Sequence, residues 1–182
     1  MKTSWYSKFF SASELNQSPQ SEADRNDDQL EAQNNQGVLH CLGIGVPQAF
    51  ESGRECLRQA AERGHALAQN NLALMYSLGL GMAKDSAQAS KWFLRSAGQG
   101  DAAAQYHLGV KCHRASMGPV SKEAHEAQIE AFKWFQLAAD QGYWKADDSR
   151  ERVNLEMNHA DVAEAKRRVA SFVRCKEAPH SA

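Results

Sequence analysis

Apolar residues fall at helical spacing along most of the chain. After Ala68, the residues Leu72, Met75 and Tyr76 follow at steps of four, three and one, a single stripe on a helix of 3.6 residues per turn. Ala89, Trp92, Phe93 and Ala97 make a second stripe of the same kind. The two stripes belong to a unit that recurs. Ala-Gln stands at Ala32-Gln33, Ala68-Gln69 and Ala104-Gln105, every 36 residues. In step with it, Ala60-Ala61-Glu62-Arg63-Gly64 is answered by Ser96-Ala97-Gly98-Gln99-Gly100 and then by Ala138-Ala139-Asp140-Gln141-Gly142. The second of these intervals is 42 residues, as is the one between Trp92-Phe93 and Trp134-Phe135, so the third unit carries an insertion between Cys112 and Ala131. Periods of this size mark helical repeat arrays, because a two-helix unit cannot bury its own stripe and stacked units can.

Each unit reads as helix, turn, helix. Gly43-Ile44-Gly45 and Gly79-Leu80-Gly81 supply the positive-φ residues that end the first helix. Asp85 offers an N-cap oxygen to the second helix, and Gly100 closes it. Gly37, Ala73 and Gly109 occupy equivalent positions inside the first helices. A mid-helix glycine costs ~1 kcal/mol against alanine, so close helix–helix contact is expected there. Trp92 and Trp134 are expected to be buried between successive helices.

The pattern predicts three repeats over 29–144, at about 31–66, 67–102 and 103–144. In the third, 115–119 replaces the Gly-x-Gly turn with a longer segment, which predicts looser geometry there. Helices over 145–157 and 161–174 are read as a capping pair, the second with a stripe of Val162, Ala165, Val169 and Phe172. Residues 1–28 form a polar segment, disordered over 11–28 because Ser, Asn, Gln and Asp bury little apolar area. Trp5, Tyr6, Phe9 and Phe10 within it suit one helical turn that docks on the repeats or on a partner. Residues 176–182 are a flexible tail.

Composition agrees with an all-α chain, with few β-branched residues and only four prolines. Lys and Arg number 21 against 22 Asp and Glu, so no global charge draws the chain to nucleic acid or an anionic membrane. Cys41, Cys56, Cys112 and Cys175 form no close pair of the zinc or redox kind and fit reduced thiols in a cytoplasmic protein. The first ten residues hold no uninterrupted apolar stretch, so neither a signal peptide nor a membrane-spanning helix is expected.

Ala-Gln-x-x-Leu-x-x-Met-Tyr-x-x-Gly-x-Gly, continued by Asp85, Ala89, Trp92 and Ala97 to Gly100, resembles the Sel-one-like repeat family, relatives of the tetratricopeptide repeats. The resemblance covers about 31–142. It implies a right-handed α-solenoid and a non-enzymatic scaffold that binds a protein or peptide partner, with no cofactor and no metal. By analogy with tetratricopeptide repeats it places a concave groove along the first helices, at Asn34, Val38 and Cys41, then Asn70, Leu74 and Ser77, then Tyr106, Val110 and His113. The asparagine amides, each a donor and an acceptor, suit the backbone of an extended peptide.

Other chemistries fit less well. His107, Cys112 and His113 share one helix, but residues five or six apart do not project together as metal ligands must. Gly-x-Gly here joins two helices instead of following a strand, which rules out the dinucleotide fingerprint. Cysteine-rich relatives of the family have been ascribed penicillin-binding or β-lactamase activity, a hydrolase alternative. The four cysteines of this chain are out of register with the repeat and cannot be a per-repeat disulfide framework. A further alternative, an adaptor for nucleic acid or membrane, would use Lys166, Arg167, Arg168, Arg174 and Lys176 at the basic end.

Overall fold

The structure is a computed structural model and describes residues 22–172. All regular structure among them is helical. In chain order the helices are α1 (Glu22–Leu42), α2 (Phe50–Glu62), α3 (Ala66–Leu78), α4 (Ser86–Gly98), α5 (Ala102–Ser116), α6 (Lys122–Ala139), α7 (Ala146–Leu155) and α8 (His159–Ala170). The chain divides into two compact units, with the boundary at Arg95 and Ser96 inside α4. In the first unit α1 packs on α2 and α3, and α2 on α3; in the second, α5, α7 and α8 all pack on α6. The aromatic residues of 1–10, and Arg174, Cys175 and Lys176, lie outside the described residues.

Local chemistry sets each helix end. Gly79, at φ 72°, is the left-handed C-cap of α3, and its N–H donates to the Met75 carbonyl. Gly81 is also at positive φ, and a Cβ there would stand 2.3 Å from Cβ of Phe50, so the turn tolerates no side chain at this point. The turn is then tied back: Asp85 N–H donates to the Tyr76 carbonyl at 3.0 Å, as Ala49 N–H does to His40 at 2.9 Å one repeat earlier. Asp85 Oδ1 accepts from the N–H groups of Ala87 and Gln88, the expected N-cap of α4.

Two corrections to the sequence reading emerge. First, α1 opens at Glu22, inside the stretch 11–28 expected to be disordered. Its polar first turns hold because Arg63, beyond α2, reaches back to Asn26 and to Gln29. Second, the six extra residues of the third unit do not enlarge its turn. They lengthen α5 and α6, and the connection 117–121 is shorter than its counterpart 79–85. Ser121 caps α6 by accepting from Ala124 N–H.

Burial follows the repeat. Trp92 and Trp134 are each 7% exposed, and the small residues Ala61, Ala68, Ala97, Ala104 and Ala138 are fully buried. The mid-helix glycines mark the close contacts expected of them. A Cβ on Gly37 would lie 2.7 Å from Leu57 Cγ, and one on Gly109 would lie 2.6 Å from the Phe135 ring. In the second unit the core gathers Ile129, Phe132 and Phe135 of α6 with Val153 of α7 and Ala165 of α8. The pair expected over 145–157 and 161–174 is thus α7 and α8, joined to the last repeat through that core.

Candidate functional site: the first helices of the repeats

The recurring Ala-Gln is a packing device. Gln69 Nε2 donates to the Ala61 carbonyl at 3.1 Å, and Gln105 Nε2 to the Ala97 carbonyl at 3.2 Å. Each side chain is fully buried and fills the open carbonyl at the end of the preceding helix. The oxygen of such a glutamine is used as well: Gln105 accepts from Gln141 at 2.8 Å, and Gln33 from Arg63 at 3.4 Å.

The first helices begin on matched caps that the sequence reading missed. His65 Nδ1 accepts from Ala68 N–H at 3.3 Å, and 36 residues later Asp101 Oδ1 accepts from Ala104 N–H at 2.7 Å. Asp101 was legible from its place before an apolar run; a histidine in that role leaves no sequence signal. Burial raises the Asp101 carboxyl against the pull of its backbone hydrogen bonds, and lowers the His65 imidazole, whose neutral form is the one that caps. His107 on α5 is pushed down to about 4, first by burial and then by the charge of Lys145.

Both histidines therefore bind a proton less readily folded than unfolded. Below the unfolded value of ~6.5 the unfolded chain takes up more protons, so stability falls as pH drops from there toward 4. Thermal melts followed by circular dichroism should give a lower midpoint at pH 5 than at pH 7.5, and His107→Asn should narrow the difference. Equal midpoints in the wild type would contradict the placement of these rings.

The residues mapped to the groove separate into two sets. Asn34, Val38, Asn70 and Leu74 are buried, at 0%, 5%, 3% and 3% exposure, and Cys41 at 1%. Asn34 is engaged inside the first unit, where its Oδ1 accepts from Asn71 Nδ2 at 2.9 Å across α1 and α3. It is a packing residue, not a free amide awaiting a peptide. Ser77, Tyr106, Val110 and His113 remain partly exposed. Tyr106 lies against Tyr143 with ring centroids 5.0 Å apart, and against Phe135 at 5.6 Å.

One pattern does single out the first helices. Among the described residues, the buried side-chain polar atoms without a hydrogen-bond partner are His40 Nδ1, Asn70 Oδ1 and both ring nitrogens of His113. They sit on α1, α3 and α5, and none is on a second helix or in the α7–α8 pair.

The candidates for other chemistry are placed as follows. Cys41, Cys56 and Cys112 are free thiols, each raised by burial, Cys41 to about 11, which keeps them protonated and weakly nucleophilic at neutral pH. No group of His, Cys, Asp or Glu among the described residues is arranged to hold a metal ion. At the basic end Arg168 binds Glu126, Glu130 and Glu164, and Arg167 also pairs with Glu164, so these two cations are neutralised locally. No described helix is long and apolar enough to cross a membrane.

The model of the Sel1 repeat matches this chain at residues 30–65, 66–101 and 102–143. The chain belongs to the Sel1 repeat family. A crystal structure of a Sel1 repeat protein from Oxalobacter formigenes aligns over 70% of this chain and 93% of its own, at 30% identity and a TM-score of 0.57. Another, of a protective antigen present in uropathogenic Escherichia coli strains and displaying an SLR fold, aligns over 93% of this chain at 25% identity and a TM-score of 0.61. This Sel1 repeat chain covers 33% of the antigen's length. No curated protein sequence matches the chain. The all-α helical-repeat fold read from the 36-residue period is the fold of these relatives, an α-solenoid.

Proposed function

We propose that this Sel1 repeat chain is a non-enzymatic scaffold that takes a segment of a protein partner along the first helices of its repeats. The observation that carries the reading is the set of unfilled hydrogen-bonding atoms on α1, α3 and α5. A buried polar atom left without a partner costs about 1–3 kcal/mol. Here that cost recurs on one class of helix and on no other, so the first helices carry polar groups that packing of the chain alone leaves unused. The residues that recur with the period support it from the other side. Gln69, Gln105, Trp92, Trp134, Gly37 and Gly109 are consumed in packing. The side chains that vary between units are left to meet a partner.

Direct contact falls to Ser77, Tyr106, Val110 and His113, which are reachable, with Asn34, Val38, Asn70 and Leu74 supporting them from below. A reducing compartment, the cytoplasm, suits the three free thiols.

The test is site-specific cross-linking. With p-benzoylphenylalanine in place of Val110, illumination in lysate of the source cell should give a discrete adduct with one protein. The same group in place of the exposed Lys91 of α4 should give none. Adducts from Lys91 but not from Val110 would move the working surface to the second helices.

A further inference from the structure

α7 and α8 both pack on α6 and scarcely on one another, which leaves a cleft between them. Phe132 and Gln136, one turn apart on α6, line its base. Arg150, Glu151 and Asn154 of α7 line one side and Lys166 of α8 the other, around a volume of about 260 Å³. The core beneath is closed. Phe132 is 3% exposed, and Val153 of α7 and Ala165 of α8 are fully buried, so the two helices are fixed on α6 with the cleft held between them.

The polar groups of the cleft are of two kinds. Arg150 is already positioned: its Nη2 pairs with Asp147 Oδ1 at 3.2 Å and its Nη1 donates to Gln136 Oε1 at 3.3 Å. Further N–H donors of the guanidinium fork stay unused. Glu151, Asn154 and Lys166 are exposed, and no side chain of the three has a hydrogen bond or ion pair among the described residues. Lys166 differs in this from its neighbours Arg167 and Arg168, which are both held by Glu164. A carboxylate and an ammonium thus line the same small space without pairing.

A ligand that carries both charges close together satisfies both at once. A phosphate or a dicarboxylate would set a second negative charge against Glu151, and a simple cation would meet Arg150 and Lys166. The volume lies below the ~300–1,000 Å³ of sites that enclose drug-sized ligands, so a molecule the size of one residue fits it.

We infer that the cleft between α7 and α8 binds a free α-amino acid with an apolar side chain. The ligand's carboxylate meets Lys166 and the unused N–H groups of Arg150, its ammonium meets Glu151 and the amide oxygen of Asn154, and its side chain lies against Phe132. No residue of α1, α3 or α5 lines the cleft, so this is a second site and stands apart from the scaffold reading.

The full chain, isotope-labelled, is titrated with L-leucine, with N-acetylleucine, which lacks the ammonium, and with leucinamide, which lacks the carboxylate. NMR follows the side-chain amide signals of Gln136 and Asn154. Leucine should shift both signals saturably, and each derivative should bind about fivefold more weakly or worse. Lys166→Ala should weaken leucine about fivefold and leave leucinamide unchanged, whereas Glu151→Ala should weaken leucine as much and leave N-acetylleucine unchanged. Both positions are exposed and unpaired, so the variants should keep the wild-type circular dichroism spectrum.

Leucine that binds no more tightly than its two derivatives, or signals that do not saturate by about 50 mM, would overturn the inference. So would an affinity for leucine that neither substitution changes.

Discussion

Phe135→Ala is expected to destabilise the second unit by about 3–5 kcal/mol, the range for truncating a fully buried aromatic side chain. Phe135 is 1% exposed and stands near the C-terminal end of α6, against Tyr106 on one side and the bare backbone of Gly109 on another. Gly109 supplies a second, sharper measurement. In the wild type Gly109→Ala sets the ~1 kcal/mol gained in helix propensity against a methyl group driven to 2.6 Å from the ring, and overpacking of that kind costs about 1–3 kcal/mol. With Phe135 already alanine the clash is gone and only the propensity gain remains. Urea unfolding of the four proteins in this cycle should therefore show Gly109→Ala destabilising in the first background and stabilising in the second. Additive effects would mean that Phe135 and Gly109 do not touch.

Gln105→Ala is expected to cost about 2–4 kcal/mol, far more than removing a polar side chain from a surface. The change leaves the Ala97 carbonyl without its donor and Gln141 without its acceptor, and it opens a void where a fully buried side chain stood. Gln105→Glu keeps the size but turns the donor into a second acceptor facing the Ala97 carbonyl, so it should cost a similar amount at neutral pH. Gln141→Ala removes the exposed partner alone and should cost about 1 kcal/mol or less. Chemical denaturation midpoints order these variants; a Gln105→Ala chain as stable as Gln141→Ala would show that the glutamine is not a structural tie.

What could be read from the sequence was whatever repeats. The period, the Gly-x-Gly turns, the Asp85 cap, the close contacts at Gly37 and Gly109 and the burial of Trp92 and Trp134 all depend on one residue type recurring in one place, which a single sequence displays. What escaped depends on partners distant in sequence. The first turns of α1 are polar and look unable to fold alone; they are held by Arg63, 37 residues beyond Asn26. The burial of Asn34 was hidden for a geometric reason. Each residue turns a helix face by 100°, so an error of one position carries a side chain from the open face to the packed one. Asn34 is on the packed face, and its partner is Asn71. The doublets Asn34-Asn35 and Asn70-Asn71 were the available sign that two faces, not one, are polar here.

The two edges of a repeat differ in how much change they absorb. At one edge a buried glutamine, a capping side chain and a positive-φ glycine lock the start of each first helix to the end of the helix before it. The third unit accepted six additional residues, and all of them emerged at the other edge, beyond Cys112, without disturbing the Gln105 tie. A grafted loop, a fluorescent tag or a recognition sequence introduced at the exposed connection 117–121 should be carried as a passenger, whereas the same insertion beside Gly64 or Gly100 should separate one repeat from the next.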